Sequence, residues 1–161
     1  MGKFNFKDSK DFQEVKATAE TFYHSLGKVR CPYFESHVMF NAKGIRHLKF
    51  KADEVARSSE DQYSRLKLLR LAPDVLKKSH TVQGIWHTKV FETEKTNGRW
   101  ERVLREVSFY EFMAVLDNVR LKVIVKDVGS GDKYFWSVIP FWGIDKVASK
   151  RLLHSGHPDS D

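Results

Sequence analysis

The chain has 161 residues, with 28 lysines and arginines against 21 aspartates and glutamates, a formal net charge of +7. Hydrophobic residues at 41% exclude a disordered chain and suffice for one core, so the basic excess must decorate a folded surface suited to nucleic acid or an anionic membrane. The single cysteine, Cys31, excludes an internal disulfide framework and a cysteine-rich zinc site, and no apolar run approaches the roughly 20 residues that span a bilayer.

From Lys10 to Leu26, Phe12, Val15, Ala19, Phe22 and Leu26 recur at three- and four-residue spacing, which predicts an amphipathic helix with Asp8 or Ser9 as N-cap and Gly27 as terminator. "SHVMF" reads as a short strand, and Asn41 to Gly44 as a turn or helix entry. "FNAKGIRHLKFK" follows, with Ile45 and Leu48 facing inward on one or two helical turns and Lys43, His47 and Lys51 sharing a face at four-residue spacing. A further helix opens at Ser58 or Ser59, where Gln62 completes a capping-box pattern, and turns Tyr63, Leu66 and Leu69 inward. Pro73 starts another short helix through Lys78.

After Ser79 the period changes to two, and β-prone stretches run over 82–94, 100–116, 119–126 and 133–141. Asn97-Gly98 and Asp117-Asn118 mark tight hairpins, and Gly129-Ser130-Gly131 a loop. The predicted fold class is α+β: N-terminal helices followed by a four-stranded antiparallel meander packed on them. A single domain is expected over 1–144, with a helical half at 8–79 and a sheet half at 82–142. A polar, frayed tail is expected at 145–161; His154 and His157 there lack a third metal ligand.

A two-residue loop at Asp117-Asn118 pairs Leu116 with Val119, Met113 with Lys122 and Glu111 with Ile124. If the next hairpin is symmetric about Gly129 and Ser130, Lys126 pairs with Lys133 and Lys122 with Ser137. Alternation then puts Glu111, Met113, Arg120, Lys122, Lys126, Lys133 and Ser137 on one cationic face. Tyr110, Phe112, Leu116, Leu121, Val123, Val125, Tyr134, Trp136 and Val138 form the core face.

Glu111 interrupts the apolar run "FYEFMAVL", where partial desolvation raises a carboxyl pKa and Lys122 lowers it, as suits a general base; an ordinary solvent-facing glutamate is the competing reading. Arg120, Lys122 and Lys126 suit a phosphate and the charge that grows on it during transfer, with Ser137 as a donor to the same group. Alternating lysines on a strand equally serve solubility and block edge pairing. His47 is a candidate proton-transfer partner. No Walker loop, dinucleotide-binding glycine fingerprint, HExxH helix or GxSxG elbow appears, and the acidic residues are too dispersed for a magnesium nuclease.

"GIRHLKFK", "QYSRLKLL" and "KYFWSVIP", within a span from Val29 to Trp142, resemble the barnase/EndoU/colicin/RelE-like nuclease superfamily, particularly its phage- and mobile-element-associated branches. The resemblance implies helices followed by a four-stranded antiparallel sheet, and metal-independent RNA cleavage without a cofactor. By position it assigns roles to His47, Lys122 and Ser137; Glu111 carries over less directly, since many members use no glutamate.

The resulting expectation is a cytoplasmic endoribonuclease of toxin, defence or mobile-element type. Glu111 or His47 activates a ribose 2′-hydroxyl, Arg120 and Lys122 stabilise the phosphate, and a 2′,3′-cyclic phosphate is left. Lys43, Arg46, Lys49, Lys126 and Lys133 complete substrate binding. RNA is the expected partner, with DNA as the other polyanion and a cognate inhibitor or antitoxin as a protein partner; no membrane is expected. The alternative is a non-catalytic RNA- or DNA-binding module in which Trp86, Trp100 or Trp136 stacks on bases.

Overall fold

A computed structural model of the chain describes residues 8–51, 54–129, 132–140, 144–145, 150–151, 158–159 and 161. Helix α1, Ser9–Leu26, is capped by Asp8, whose side chain accepts from the Asp11 amide, and ends at Gly27 with φ of 63°, a value glycine adopts freely. Two short strands follow, β1 (Lys28–Cys31) and β2 (Ser36–Met39), and then α2 (Ala42–Lys49), α3 (Ser59–Leu68) and α4 (Ala72–Lys78). Asn41 caps α2 by accepting from the amides of Lys43 and Gly44, and Ser58 caps α3 by accepting from that of Asp61. The cap therefore lies one residue earlier than the Ser59–Gln62 box; Gln62 instead donates to the Arg57 carbonyl at 2.8 Å.

The long strands are β3 (Gly84–Thr96), β4 (Arg99–Leu116), β5 (Val119–Val128) and β6 (Lys133–Pro140). The α+β class stands, but the sheet has six strands rather than four, in the order β1-β2-β6-β5-β4-β3, and β2 lies parallel to β6. β1 escaped the sequence reading because four residues with alternating burial carry little pattern of their own. Beyond these, Ile144–Asp145 pairs with Lys150–Arg151.

The helices cover one face of the sheet, where Phe112, Leu121, Val123, Val125, Phe135 and Val138 join the main core with residues of all four helices. Helix α2 approaches β6 so closely at Gly44 that a Cβ would collide with the Phe135 carbonyl and the Tyr23 hydroxyl. The Tyr23 hydroxyl also donates to the Asn41 carbonyl at 2.5 Å, tying α1 to the start of α2.

The β4–β5 register is the expected one: Leu116 faces Val119, Met113 faces Lys122 and Glu111 faces Ile124. The β5–β6 register is not. Lys126 pairs with Tyr134 and Lys122 with Ile139, and a bulge separates the Ile124–Ser137 pair from the Val125–Phe135 pair. The pairing is shifted by one residue at the β5–β6 turn, so Tyr134 and Trp136 leave the core face assigned to them and join Phe109 and Ile124 in a second cluster on the opposite face; the extra residue at the bulge is Trp136, and beyond it Val138 faces Val123 on the core side as expected. Lys133 pairs with Asp127 instead of Lys126 and leaves the cationic face.

No helix among the described residues is long and apolar enough to cross a membrane. Most of the expected frayed tail lies outside the described residues, as do His154 and His157; Pro158 and Asp161, however, are buried. The Trp136 indole donates to the Pro158 carbonyl at 3.2 Å, and Ser137 Oγ and Arg65 Nη1 both donate to the Asp161 carbonyl.

Candidate functional site

A cleft of about 140 Å³ opens where α2 meets the bulged part of β6 and β3. Helix α2 contributes Lys43, Arg46 and His47, β5 contributes Lys126, β6 contributes Tyr134 and Trp136, and β3 contributes Glu92. The helix can present these groups because Ile45 and Leu48 anchor its other side in the core. Lys51 and Glu54 complete the rim, which makes four cationic side chains against two carboxylates. Lys51 lies beyond the end of α2, so the expected face of Lys43, His47 and Lys51 at four-residue spacing does not form.

His47 is 3% exposed and its ring stacks on the Trp136 indole, with centroids 3.9 Å apart. Arg57 clamps it twice, donating from Nε to its backbone carbonyl at 2.9 Å and from Nη2 to its Nε2 at 3.0 Å. A guanidinium only donates, so Nε2 is the unprotonated acceptor and Nδ1 carries the proton. Burial first, then the charges of Arg57, Arg65 and Lys126, push the imidazole down to about 2. A ring so placed is a fixed wall of the cleft and a poor proton acceptor, which removes the physical basis for His47 as general base.

Behind that wall, Arg65 is 1% exposed and donates from Nε to Asp61 at 2.7 Å and from Nη1 to Ser137 Oγ at 2.6 Å. Asp61 also faces Arg57, at 3.5 Å. Burial lowers both guanidinium pKa values, Arg57 to about 10; the Arg65 charge adds to the lowering at Arg57, and Asp61 opposes it at both. Ser137 is fully buried, so it is not presented to a ligand in this state.

Lys126 is 4% exposed, lies 4.2 Å from the centre of the Trp136 ring and pairs with Glu92 at 2.6 Å. Lys43 stands 5.7 Å above the Tyr134 ring. The Tyr134 hydroxyl is the buried side-chain polar atom without a hydrogen-bond partner among the described residues. A buried unsatisfied hydroxyl at a cleft wall is what an incoming ligand would satisfy.

Of the residues singled out in the sequence, the cleft thus joins Lys43, Arg46, His47 and Lys126. Glu111 and Lys122 pair with each other at 3.3 Å, four residues along β5 from Lys126, which is roughly 13 Å. The Lys122 ammonium is buried in that pair, away from the cleft. Arg120 is exposed on the far part of β5, Lys133 faces Asp127 at 3.8 Å, and Lys49 is turned to Glu20 at 2.9 Å. Glu92, Arg57, Arg65 and Asp61 were missed: Glu92 sits in an alternating strand pattern like its neighbours, and Asp61 reads as a helix-start charge. Among the described residues no group of three or more His, Cys, Asp or Glu side chains is placed to hold a metal ion.

Comparison of the chain with known families, with curated proteins and with solved structures finds no match in any of the three.

Proposed function

We propose that the protein binds nucleic acid in this cleft, with the phosphates seated on Lys43, Arg46 and Lys126 and a base or ribose against Tyr134. The observation that carries this reading is the convergence of those three cations, from a helix and a strand distant in sequence, around an aromatic wall with an unsatisfied hydroxyl. Cations supply the sequence-independent, salt-dependent part of such binding, and aromatic faces supply stacking.

A second reading is favoured by one specific contact, the Glu92 carboxylate against the Lys126 ammonium inside the cleft. It makes the protein a metal-independent endoribonuclease whose base is Glu92 rather than His47 or Glu111. In that reaction Glu92 takes the 2′-hydroxyl proton, the 2′-oxygen bonds to phosphorus, and the bond to the 5′-oxygen breaks as that oxygen takes a proton from a cleft lysine. Lys126 neutralises the charge that grows on the phosphate. A cognate inhibitor is a natural protein partner for such an activity.

The test is incubation of labelled RNA with the protein in EDTA, beside Glu92→Gln and Lys126→Ala. Cyclic-phosphate products lost in Glu92→Gln support the ribonuclease. Intact RNA that is retained, and released by salt, supports the binding module. Neither retention nor cleavage contradicts both.

A further inference from the structure

Beyond the Val107–Val128 pair, where β5 ends, β3 and β4 continue as a two-stranded ribbon, residues 89–96 against 99–106. Side chains alternate along it, and the register sorts them by chemistry. One face sets Phe91 opposite Leu104 and Lys95 opposite Trp100, with Lys89 and Arg102 on the neighbouring rungs. Its cations, Lys89, Lys95 and Arg102, meet one acid, Glu106; the other face carries the acids Glu92, Glu94 and Glu101 with Arg99 and Arg105. Coverage runs against the usual order of apolar inside and polar outside: the aromatic residues stand on the fully exposed face, while Glu92, Glu94 and Arg105 on the other are half-buried. Arg105 is committed to Glu94. Among the described residues no ion pair engages Lys89, Lys95 or Arg102, and Arg102 lies 5.3 Å from the centre of the Phe91 ring. Glu92, which lines the cleft, is on the second face, so cleft and aromatic face lie on opposite sides of the ribbon.

We propose that this face of the β3–β4 ribbon is a second RNA-binding surface, a stacking platform for a single strand, on which Trp100 and Phe91 each receive a base and Lys89, Lys95 and Arg102 receive phosphates. The proposal rests on the nucleic-acid reading given above. Aromatic faces interleaved with cations outside any ion pair match a single strand, whose bases are open to stacking and whose backbone carries the complementary charge. Phe91 and Trp100 stand on rungs four residues apart, roughly 13 Å along the ribbon, so the two bases they receive are not stacked on each other. A duplex keeps its bases stacked within the helix and offers neither ring a partner. A protein partner fits the face less well. The Thr93–Arg102 rung parts Phe91 and Leu104 from Trp100, and the Lys89–Glu106 rung parts them from the rest of the sheet, whereas the centre of a protein interface is a continuous patch depleted of lysine and glutamate.

The experiment is binding of a labelled single-stranded RNA oligonucleotide by the full chain and by Trp100→Ser, Phe91→Ser, Trp100→Phe and the cleft variant Lys43→Ala/Arg46→Ala, each checked for folding by circular dichroism. Both serine variants are expected to bind about tenfold more weakly with an unchanged salt slope, because a ring stacks on a base without releasing counterions. Trp100→Phe, which keeps a stacking face, is expected to recover most of that loss. Duplex RNA of the same sequence is expected to bind the serine variants as it binds the wild type. Wild-type affinity in both serine variants, or an equal loss on the duplex, overturns the proposal. If the cleft variant alone weakens binding, the cleft reading stands and the platform is overturned; if the serine variants alone weaken it, the platform stands and the cleft reading fails. A wild type that binds no RNA overturns both. Self-association that Phe91→Ser abolishes without changing RNA affinity assigns the face to a second copy of the chain and also overturns the proposal.

Discussion

Trp136 and Trp100 are the same side chain on two strands of one sheet, yet the first is 8% exposed and the second 71%. Around Trp136, charges are buried and matched: Arg65 and Arg57 with Asp61, Lys126 with Glu92. Around Trp100, at the β3–β4 turn, they are not buried. Arg105 grips Glu94 with two bonds of 2.7 Å on the surface, and Phe91 stands 61% exposed under the Arg102 guanidinium, 5.3 Å away. A residue's chemistry is therefore set by what covers it. A buried cation demands a partner and repays it with fixed geometry, whereas an exposed pair is screened and holds little.

The largest way to break this contrast is Arg65→Ala, which leaves Asp61, the Ser137 hydroxyl and the Asp161 carbonyl without their shared donor. A loss of about 3–5 kcal/mol is expected in denaturant unfolding, while Arg105→Ala is expected to shift the midpoint little. Comparable losses in the two would dissolve the distinction between the regions.

Acid pH should act through His47. Its folded value of about 2 lies below the ordinary 6.5, so below about pH 6.5 the unfolded chain takes up a proton that the folded chain refuses. This contribution to stability is fully present above pH 6.5 and is lost progressively as pH falls towards 2. His47→Gln, which can still accept from Arg57, should show a flatter fall in melting temperature between pH 7 and 4. An unchanged slope would mean that the imidazole is not held neutral.

Gly44→Ala should drive α2 off β6 and cost about 1–3 kcal/mol, with weaker RNA binding at temperatures where the variant remains folded. Arg46→Ala is expected to leave stability nearly unchanged, since its Glu54 pair at 3.4 Å is exposed, and to lower the salt slope of RNA binding by about 1. Trp100→Ser is the smallest change, expected within about 0.5 kcal/mol of the parent.

Much of the frame was readable because it rests on local chemistry. Asp8, Asn41 and Pro73 mark helix starts at or next to where the helices begin, and Asp117 and Asn118, with φ of 50° and 59°, form the tight turn that sets the β4–β5 register. The β5–β6 register was not readable, because the glycine-rich loop after Val128 does not fix its own length, and a shift of one residue there moved Tyr134 and Trp136 from the core face to the cleft; nor does anything in "KYFWSVIP" mark the bulge at Trp136. Four cations or titratable residues of the site were legible as a basic cluster. Their partners were not: Glu92 reaches Lys126, and the Asp161 carbonyl reaches Arg65 behind the His47 wall, only through the fold of the whole chain.

The most direct test of the central claim is fluorescence anisotropy of a labelled single-stranded RNA over a salt series, with the wild type and Lys43→Ala/Arg46→Ala. The cleft predicts linear salt dependence for the parent and a slope smaller by about 2 for the variant, with folding intact. Equal slopes for the two proteins, or binding indifferent to salt, would contradict it.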